Sequence, residues 1–451
     1  MEQAGRLIDR WFRRIDGQLY IGDVPIQNLA GAYGTPLFVY DRATAEKKWE
    51  QLRGTLPARF SISYSVKANP NPAILRIFLE KGSGLEIASA GEFHQALAAG
   101  CPPQKILFAG PGKTETELEY VLAEDVGEIH AESLREIDRI NLISQRLGRR
   151  ARVAVRINPG TDAEGGAMRM GGKPAPFGID EEQLEEAVGR ILSYPSLEFR
   201  GIHLFTGTQI LDSTVLLRQY AKGIELAHRA ATASGRPLNR IDFGGGLGVP
   251  YFAHEKELDI ASVKQDLRKL VEVVDGNPEF QGTEFLVEPG RFLIAESGIY
   301  VVKVHDVKVS RGKKFVIVDG GMNHHLAASG NLGQTIKRNY PIAVLNKLSA
   351  PVEETVDVVG PLCTPLDVLG RSVELPRVEE GDLIGVFQSG AYARSASPLG
   401  FLSHPAPPEV LVNGAEHSLI RRRGDLSDTL RDFVYACKMT PSCLNPLSQI
   451  A

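Results

Sequence analysis

The chain has 451 residues, of which 43% are hydrophobic and 24% are charged, and its formal net charge is −4. This composition is typical of a globular chain with one large and one smaller domain, and it carries no electrostatic footprint for nucleic acid or an anionic membrane. No window approaches the length of a bilayer span, and the four cysteines, Cys101, Cys363, Cys437 and Cys443, have neither metal-type nor disulfide-type spacing. We therefore predict a cytoplasmic protein with reduced thiols.

Eight short apolar segments follow one another along the chain, separated by amphipathic stretches with apolar residues at helical spacing. In chain order they cover residues 60–66, 85–89, 106–110, 128–132, 153–158, 201–205, 241–244 and 285–288. Eight β-then-α units over about 230 residues match a (β/α)8 barrel of the TIM type in both number and size. The predicted fold class is therefore α/β.

The pattern changes after residue 288 to closely spaced strands with few helices. We predict strands over residues 300–309, 314–319, 356–359, 383–388 and 409–411. These strands indicate a second, C-terminal domain, a β-sandwich or β-barrel. The predicted limits are 32–290 for the barrel, 1–31 plus 291–425 for the β domain, and 426–451 for a tail that is helical at first.

Lys67 stands at the end of the first predicted barrel strand, in the run Tyr64-Ser65-Val66-Lys67-Ala68-Asn69. Functional residues of such barrels gather at the carboxyl ends of the strands. A lysine amine there can condense with an aldehyde if burial beside apolar or cationic groups lowers its pKa toward the working range. We predict that Lys67 is catalytic and has such a lowered pKa; the ordinary alternative is a surface lysine that ends a strand.

Gly244 to Gly248 follow the seventh predicted strand, where bare backbone N–H groups can surround a phosphate. Val249 stands where a dinucleotide-binding motif requires its third glycine, so that fingerprint is absent. Glycines that only form a tight loop remain the alternative.

Two other motifs have ordinary interpretations. Gly112-Lys113-Thr114 lacks the first glycine of a nucleotide-triphosphate loop, whose place is held by Leu107, and Thr114 with Glu117 predicts a helix capping box instead. The pair His324-His325 lacks a third ligand at useful spacing, so we predict no metal site.

Glu288 ends the eighth predicted strand, in the run Glu288-Pro289-Gly290-Arg291. A carboxylate that faces a pyridine nitrogen keeps that nitrogen protonated, which makes the ring an electron sink. Lys67 and Glu288 at the same barrel mouth therefore fit pyridoxal phosphate.

At this point the chain resembles, over most of its length, the fold-type III pyridoxal phosphate decarboxylases, the family of diaminopimelate and ornithine decarboxylases with an alanine racemase-like fold. The resemblance rests on ordered motifs at residues 64–69, 244–248, 288–291, 360–367 (Gly-Pro-Leu-Cys-Thr-Pro-Leu-Asp) and 389–392 (Ser-Gly-Ala-Tyr). Two subfamilies share further details, namely Met170 to Gly178, Thr206-Gly207-Thr208-Gln209, Cys-Thr-Pro and Phe401 to Pro405. One is the butirosin decarboxylase of a glutamyl group on an acyl carrier protein; the other comprises exosortase-associated decarboxylases.

The resemblance implies a role for each matching position. Lys67 would bond to the cofactor, Glu288 would hold its pyridine nitrogen, and Cys363, delivered by a partner subunit, would be the general acid. The other implied cofactor-binding residues are Glu86, Arg156, Phe205, Gly245, Gly246, Gly290, Arg291 and Tyr392, and the implied substrate-binding residues are Thr364 and Asp367. The implied assembly is a homodimer with shared active sites.

Three positions depart from the family pattern. Phe205 replaces a histidine that stacks on the cofactor ring, Thr364 replaces a Glu or Asp that reads a distal ammonium, and residues 322–328 lack an arginine that holds a distal carboxylate. Lysine, ornithine and diaminopimelate are therefore poor candidates, because burying an unpaired charge costs several kcal/mol. We predict an α-decarboxylase for an L-amino acid with a neutral or conjugated side chain, such as carrier-bound glutamate.

Three alternatives stay open. A housekeeping diaminopimelate decarboxylase would turn over that one substrate. An amino-acid racemase would need a second base on the opposite face of the ring and would release no carbon dioxide. A non-catalytic binding relative would be expected to lose Lys67 or Cys363, and this chain has both.

Overall fold

The structure is a computed structural model that describes residues 2–160, 168–169, 174–205, 207–334 and 336–434. The N-terminal segment contains α1 (Glu2–Trp11), β1 (Arg13–Ile15), β2 (Gln18–Ile21), β3 (Val24–Pro25), α2 (Ile26–Tyr33) and β4 (Leu37–Asp41). Leu19 and Ile21 of β2 are fully buried in one apolar core with residues 299, 301, 345 and 387. The N-terminal segment therefore packs against the later part of the chain.

The next part of the chain alternates helices and strands. Its elements are α3 (Arg42–Thr55), β5 (Phe60–Ser65), α4 (Pro72–Glu80), β6 (Gly84–Ile87), α5 (Ala90–Ala98), β7 (Ile106–Phe108), α6 (Glu115–Ala123), β8 (Glu128–Ala131), α7 (Leu134–Leu147), β9 (Ala151–Asn158), β10 (Met168–Arg169), β11 (Ile179–Asp180), α8 (Leu184–Ser193), β12 (Leu197–Leu204), β13 (Gly207–Thr208), α9 (Ser213–Ser234), β14 (Arg240–Asp242), α10 (Ile260–Asp275), β15 (Glu284–Val287) and α11 (Arg291–Ile294).

Eight of these strands form a closed parallel barrel. The ring runs β5-β6-β7-β8-β9-β12-β14-β15, and β15 pairs with β5 to close it. These are the eight strands expected from the sequence, so the TIM-like barrel is confirmed. The predicted capping box is also present, because Thr114 and Glu117 exchange hydrogen bonds at the start of α6.

The expected eight β-then-α units are incomplete at the end of the barrel. The eighth strand, β15, is followed only by the four-residue helix α11. The longer helix α3, which precedes the first barrel strand, packs against α11 and covers this part of the barrel. The covering helix thus comes from a distant part of the sequence.

The remaining elements build a mainly antiparallel sheet. They are β16 (Gly298–Ser310), β17 (Lys313–Val318), β18 (Ile342–Val344), β19 (Glu354–Val359), β20 (Val368–Leu375), β21 (Leu383–Phe387), β22 (Glu409–Asn413) and β23 (Glu416–Arg421). The sheet order is β20-β19-β17-β16-β4-β22-β23, with β21 paired to β16 and β18. The predicted β-rich second domain is confirmed.

Strand β4 belongs to this sheet, where it pairs with β16 and β22, although its residues fall inside the range 32–290 predicted for the barrel. The domain limits stay a prediction, and we propose a barrel segment that begins with α3. The tail starts with a 3-10 helix, Leu426–Leu430, and residues 435–451 lie outside the described part. Among the described residues, no helix is long and apolar enough to cross a membrane.

Candidate active site

Lys67 lies in a single 3-10 turn, Val66–Ala68, directly after β5. Its Nζ is 3.2 Å from Oε2 and 3.3 Å from Oε1 of Glu86, a buried residue of β6. The same Nζ is 5.4 Å from the centre of the Phe205 ring, which follows β12. Three barrel strands therefore bring an acid, an amine and an aromatic ring together at the predicted mouth.

The predicted lowering of the Lys67 pKa is wrong. Burial does lower the pKa, but the negative charge of Glu86, with smaller contributions from Tyr392 and Glu288, raises it above the ordinary lysine value. The prediction considered apolar and cationic neighbours, whereas the nearest charged partner is a carboxylate. The free amine is therefore held as an ammonium.

Glu288 is buried directly after β15, with only 4% of the residue exposed. Its N–H donates to the carbonyl of Gly244, and its Oε2 lies 3.3 Å from Nε2 of His203. Burial raises the pKa of Glu288, but His203 and His130, with Lys67, lower it below the usual carboxyl range. Its Oε1 is buried and has no hydrogen-bond partner among the described residues. Glu288 is thus a buried carboxylate with an unpaired oxygen.

The glycine loop after β14 has a geometry that side chains would disturb. Gly244 and Gly246 have φ of 67° and 99°, where other residues are strained. A Cβ on Gly245 would come within 2.5 Å of the Glu288 carbonyl, and a Cβ on Gly290 within 2.9 Å of Ala68 Cβ. The N–H groups of Gly245 and Gly246 donate no hydrogen bond to another described residue. They are therefore free for an anion such as a phosphate.

Arg291 and Tyr392 lie together beside the lysine turn. The guanidinium of Arg291 is 4.6 Å from the Tyr392 ring centre, and its Nη1 donates to the hydroxyl of Tyr251 at 3.2 Å. Tyr392 donates its N–H to the carbonyl of Ala68, the residue after Lys67. Both residues therefore lie beside the lysine turn, and their contact with a phosphate stays a prediction.

Arg156, at the end of β9, is held by a buried ion pair. Its Nη1 is 2.6 Å from Oε1 of Glu132, and its guanidinium lies 5.9 Å from the Phe205 ring and 5.2 Å from the Phe177 ring. Two cations, Arg156 and Lys67, thus lie within 6 Å of the Phe205 ring centre. Of the motif residues 170–178 and 206–209, residues 170–173 and 206 lie outside the described part.

The predicted acid and substrate residues lie on a loop of the second sheet, between β19 and β20. Cys363 is exposed and Thr364 is half-buried, whereas the contacts of Lys67 are with Glu86 and Phe205. Asp367 is buried; its Oδ1 accepts from Met322 N–H at 2.6 Å and its Oδ2 from Leu362 N–H at 2.8 Å. Both oxygens hold the loop, which favours a structural role for Asp367 over the predicted substrate contact.

His324 and His325, the pair considered for a metal, are buried in the second sheet. Nδ1 of His324 lies 3.0 Å from the Tyr300 hydroxyl, and Nε2 of His325 lies 2.9 Å from Ser389 Oγ. Burial lowers the pKa of both rings to about 3. They are neutral, hydrogen-bonded core residues.

Three residues that are not among the predicted site residues lie around Glu288. They are His130 of β8, His203 of β12 and Asp242 of β14, all buried. One ring nitrogen of each histidine, one carboxyl oxygen of Asp242 and one of Glu288 all lie within 4.8 Å of one another. A signal for His203 is its place two residues before Phe205, which puts both on the same side of an extended segment.

These features fit pyridoxal phosphate. The Glu288 carboxylate can accept from a pyridine N–H, the glycine loop offers unpaired N–H groups, and the Lys67 amine lies at the same end of the barrel. A (β/α)8 barrel with such a mouth and a second β domain defines a pyridoxal phosphate enzyme of fold type III.

Comparison with known proteins agrees with this class. Residues 42–295 match the model of the pyridoxal-dependent decarboxylase family, pyridoxal binding domain. The L-glutamyl-[BtrI acyl-carrier protein] decarboxylase of Niallia circulans is 39% identical over 89% of this chain and 94% of its own length. The diaminopimelate decarboxylase of Zymomonas mobilis is 33% identical over 92% and 97%.

Solved structures agree as well. Diaminopimelate decarboxylase from Helicobacter pylori, complexed with L-lysine, superimposes with a TM-score of 0.81 at 31% identity, covering 90% of this chain and 98% of the other. The chain belongs to the family of pyridoxal-dependent decarboxylases. Its cofactor is pyridoxal phosphate, and it is an amino-acid decarboxylase.

Proposed function

We propose that the chain removes the α-carboxylate of an L-amino acid whose distal end is uncharged or conjugated, with glutamate bound to an acyl carrier protein as the favoured example. The observation that carries this proposal is Thr364, which follows Cys363 where the family usually has an acid. A neutral residue there leaves a distal ammonium unpaired, which is unfavourable in a desolvated site. It accommodates an uncharged linker without that cost.

The likeness to the Niallia circulans enzyme supports the same substrate class, because that enzyme acts on a glutamyl group carried by a protein. When glutamate is attached through its side-chain carboxyl, its α-amino and α-carboxyl groups stay free. The cofactor site then meets the same head group as in any amino acid. Diaminopimelate remains the second candidate, since several relatives of similar length act on it.

Each site residue has a proposed role. Bound pyridoxal phosphate supplies an electron-withdrawing ring that takes up the electron pair left when carbon dioxide departs. Lys67 holds the cofactor, and Glu86 keeps the Lys67 Nζ oriented toward the mouth. Glu288 would accept from the pyridine N–H, and Gly245, Gly246, Gly290, Arg291 and Tyr392 would hold the phosphate.

Cys363 is the proposed general acid, which returns a proton to the carbon that lost its carboxylate. Its thiol is exposed on a loop of the second sheet, so a partner subunit of a homodimer would deliver it. Phe205 would pack on one face of the cofactor ring between Lys67 and Arg156. A phenyl ring can fill the space of the family's histidine, but it cannot exchange a proton. We keep the cytoplasm as the proposed location.

The substrate proposal is tested by restoring the acid. Thr364→Glu should shift preference toward ornithine and away from a γ-glutamyl amide by some 1 to 3 kcal/mol, roughly ten- to two-hundred-fold in relative kcat/KM. The measurement is competition between the two substrates in one mixture. Thr364→Gln has nearly the same shape without the charge, so it should not cause the shift. An equal change in substrate preference for Thr364→Glu and Thr364→Gln would show that residue 364 does not interact with a charge at the distal end of the substrate.

A further inference from the structure

The interior of the barrel below Glu288 holds an unusual set of buried polar groups. His130, His203 and Asp242 are at most 1% exposed, and Glu288 is 4% exposed. Several of their atoms have no hydrogen-bond partner among the described residues, namely His130 Nδ1, both His203 nitrogens, Asp242 Oδ2 and Glu288 Oε1. Burying so many unpaired polar atoms is costly, and one atom of each of the four residues lies within 4.8 Å of the others, which favours hydrogen bonds among them through shared protons.

The placement of the protons follows from the donors around each group. Asp242 Oδ1 accepts from the N–H of Gly244 at 2.8 Å, whereas Oδ2 has no hydrogen-bond partner among the described residues. One carboxyl oxygen of Asp242 lies within 4.8 Å of one of Glu288, and two carboxyl groups can form a hydrogen bond only if one carries a proton. Burial raises the pKa of Asp242 and the charge of Glu288 raises it further, whereas neighbouring histidines lower the pKa of Glu288. These opposite directions favour Asp242 as the carboxyl group that carries the proton.

His203 supplies a second donor. Its Nε2 lies 3.3 Å from Oε2 of Glu288. Burial lowers the pKa of His203 to about 4, so the ring is neutral at physiological pH and carries one N–H. Nε2 has no hydrogen-bond partner among the described residues, so this contact has the distance but not the direction of a hydrogen bond. With its hydrogen on Nε2, the ring would donate to Glu288 after a small rotation in the holoenzyme.

A second layer fixes His203. The ring of His130 lies 4.4 Å from the ring of His203, and its own Nε2 is 3.1 Å from Oε1 of Glu128. Glu128 is neutralised by Arg240 of β14, at 3.1 Å. The remaining charged groups that face Glu288 and His203 are Lys67 and Arg156. The whole arrangement keeps the negative charge on Glu288.

We propose that His203 and Asp242 are positioning residues, each donating one hydrogen bond to Glu288, so that Glu288 stays a carboxylate that can accept from the pyridine N–H of the cofactor. The inference rests on the proposed role of Glu288 and is independent of the substrate. It predicts that His203 and Asp242 are each needed as a neutral hydrogen-bond donor, and that neither is needed as a charged group.

Paired substitutions separate donation from charge and shape. Asp242→Asn and His203→Gln each retain an N–H donor, whereas Asp242→Leu and His203→Phe remove it. The readout is the ¹⁵N chemical shift of the ring nitrogen in bound, ¹⁵N-labelled pyridoxal phosphate, measured on the holoenzyme in the presence of a metal chelator. The donor-retaining variants should keep the protonated-nitrogen signal. The Leu and Phe variants should move it toward the unprotonated position and lower kcat at least tenfold, with KM and cofactor occupancy changed less than threefold.

If the Leu or Phe variants do not fold, two further measurements test the proposed proton on Asp242 and the role of Glu288. The infrared difference spectrum of wild type minus Asp242→Asn should show the carbonyl band of a protonated carboxylic acid, and absence of that band overturns the proton assignment. Loss of the protonated-nitrogen signal in Asp242→Asn also overturns it. Glu288→Gln distinguishes the two proposals: an unchanged nitrogen signal there contradicts the role of Glu288 itself. An unchanged signal in folded Asp242→Leu and His203→Phe, with Glu288→Gln shifted, contradicts only the positioning roles.

Discussion

At Lys67 the amine lies between the carboxylate of Glu86 and the ring of Phe205, in the mouth of the barrel. Borohydride reduction of the yellow holoenzyme should therefore attach pyridoxal phosphate to Lys67, as detected by mass spectrometry of the digested protein. Lys113 is an internal control, because its Nζ is buried against Gly110, His130 and Glu136 and should stay unlabelled. A label on Lys113 or on another lysine would disprove the assignment of the cofactor-binding residue.

Lys67 and Glu288 could be predicted because each stands in a short contiguous motif at the end of a strand. His203 and Asp242 could not, because their significance comes from proximity to Glu288, and the three residues belong to different strands. The Lys67 pKa was mispredicted for the same reason. Its principal charged partner, Glu86, is contributed by the next strand, and the strength of that pairing depends on a distance that sequence does not contain.

Among the elements, the loop between β19 and β20 is held by Asp367. Its carboxylate accepts from Met322 and Leu362, and it packs against Gly321 and Gly360, where a Cβ would collide with it. The loop thus depends on an acceptor pair that only a carboxylate supplies. Asp367→Asn replaces one acceptor with a donor, which costs about 1 to 3 kcal/mol in the folded loop.

We expect Asp367→Asn to speed hydrogen exchange in residues 360–367 and to lower kcat through Cys363, while KM changes little. Asp357→Asn is the control, since Asp357 accepts from the backbone of Ser372 and pairs with Lys313 in the same sheet, and neither residue belongs to this loop. A rise in KM without faster exchange would instead support direct substrate contact by Asp367.

The strands of the barrel could be predicted because each is a short apolar run of the right length. The pairing of β4 with the second sheet and the covering of the barrel end by α3 could not be predicted, because both arise from contacts between distant parts of the chain. A strand's hydrophobic pattern shows that it is buried. It does not show which sheet it joins.

For the whole molecule, the resemblance to the family implies active sites that are shared between subunits, and we propose that the exposed Cys363 enters the site of the partner. Mixing inactive Lys67→Ala and Cys363→Ala chains should restore activity to about a quarter of wild type, because half of the dimers are mixed and each has one intact site. The activity is measured after subunit exchange has been verified by native mass spectrometry. Mixing Lys67→Ala with Glu288→Gln, which damages the same site, is the control and should restore none. No recovery in the first mixture would indicate that Lys67 and Cys363 act within one chain.

The most direct test of the proposed function is release of labelled carbon dioxide from substrates labelled in the α-carboxyl group. The substrates are L-glutamate bound through its side chain to an acyl carrier protein, a γ-glutamyl amide, ornithine and diaminopimelate. The wild-type holoenzyme is assayed with each of them, and the four kcat/KM values are compared. We predict release from the conjugated glutamates at least tenfold more efficiently than from ornithine or diaminopimelate, consistent with the cost of leaving a distal charge unpaired at Thr364. Efficient turnover of diaminopimelate with no release from either conjugated glutamate would contradict this account.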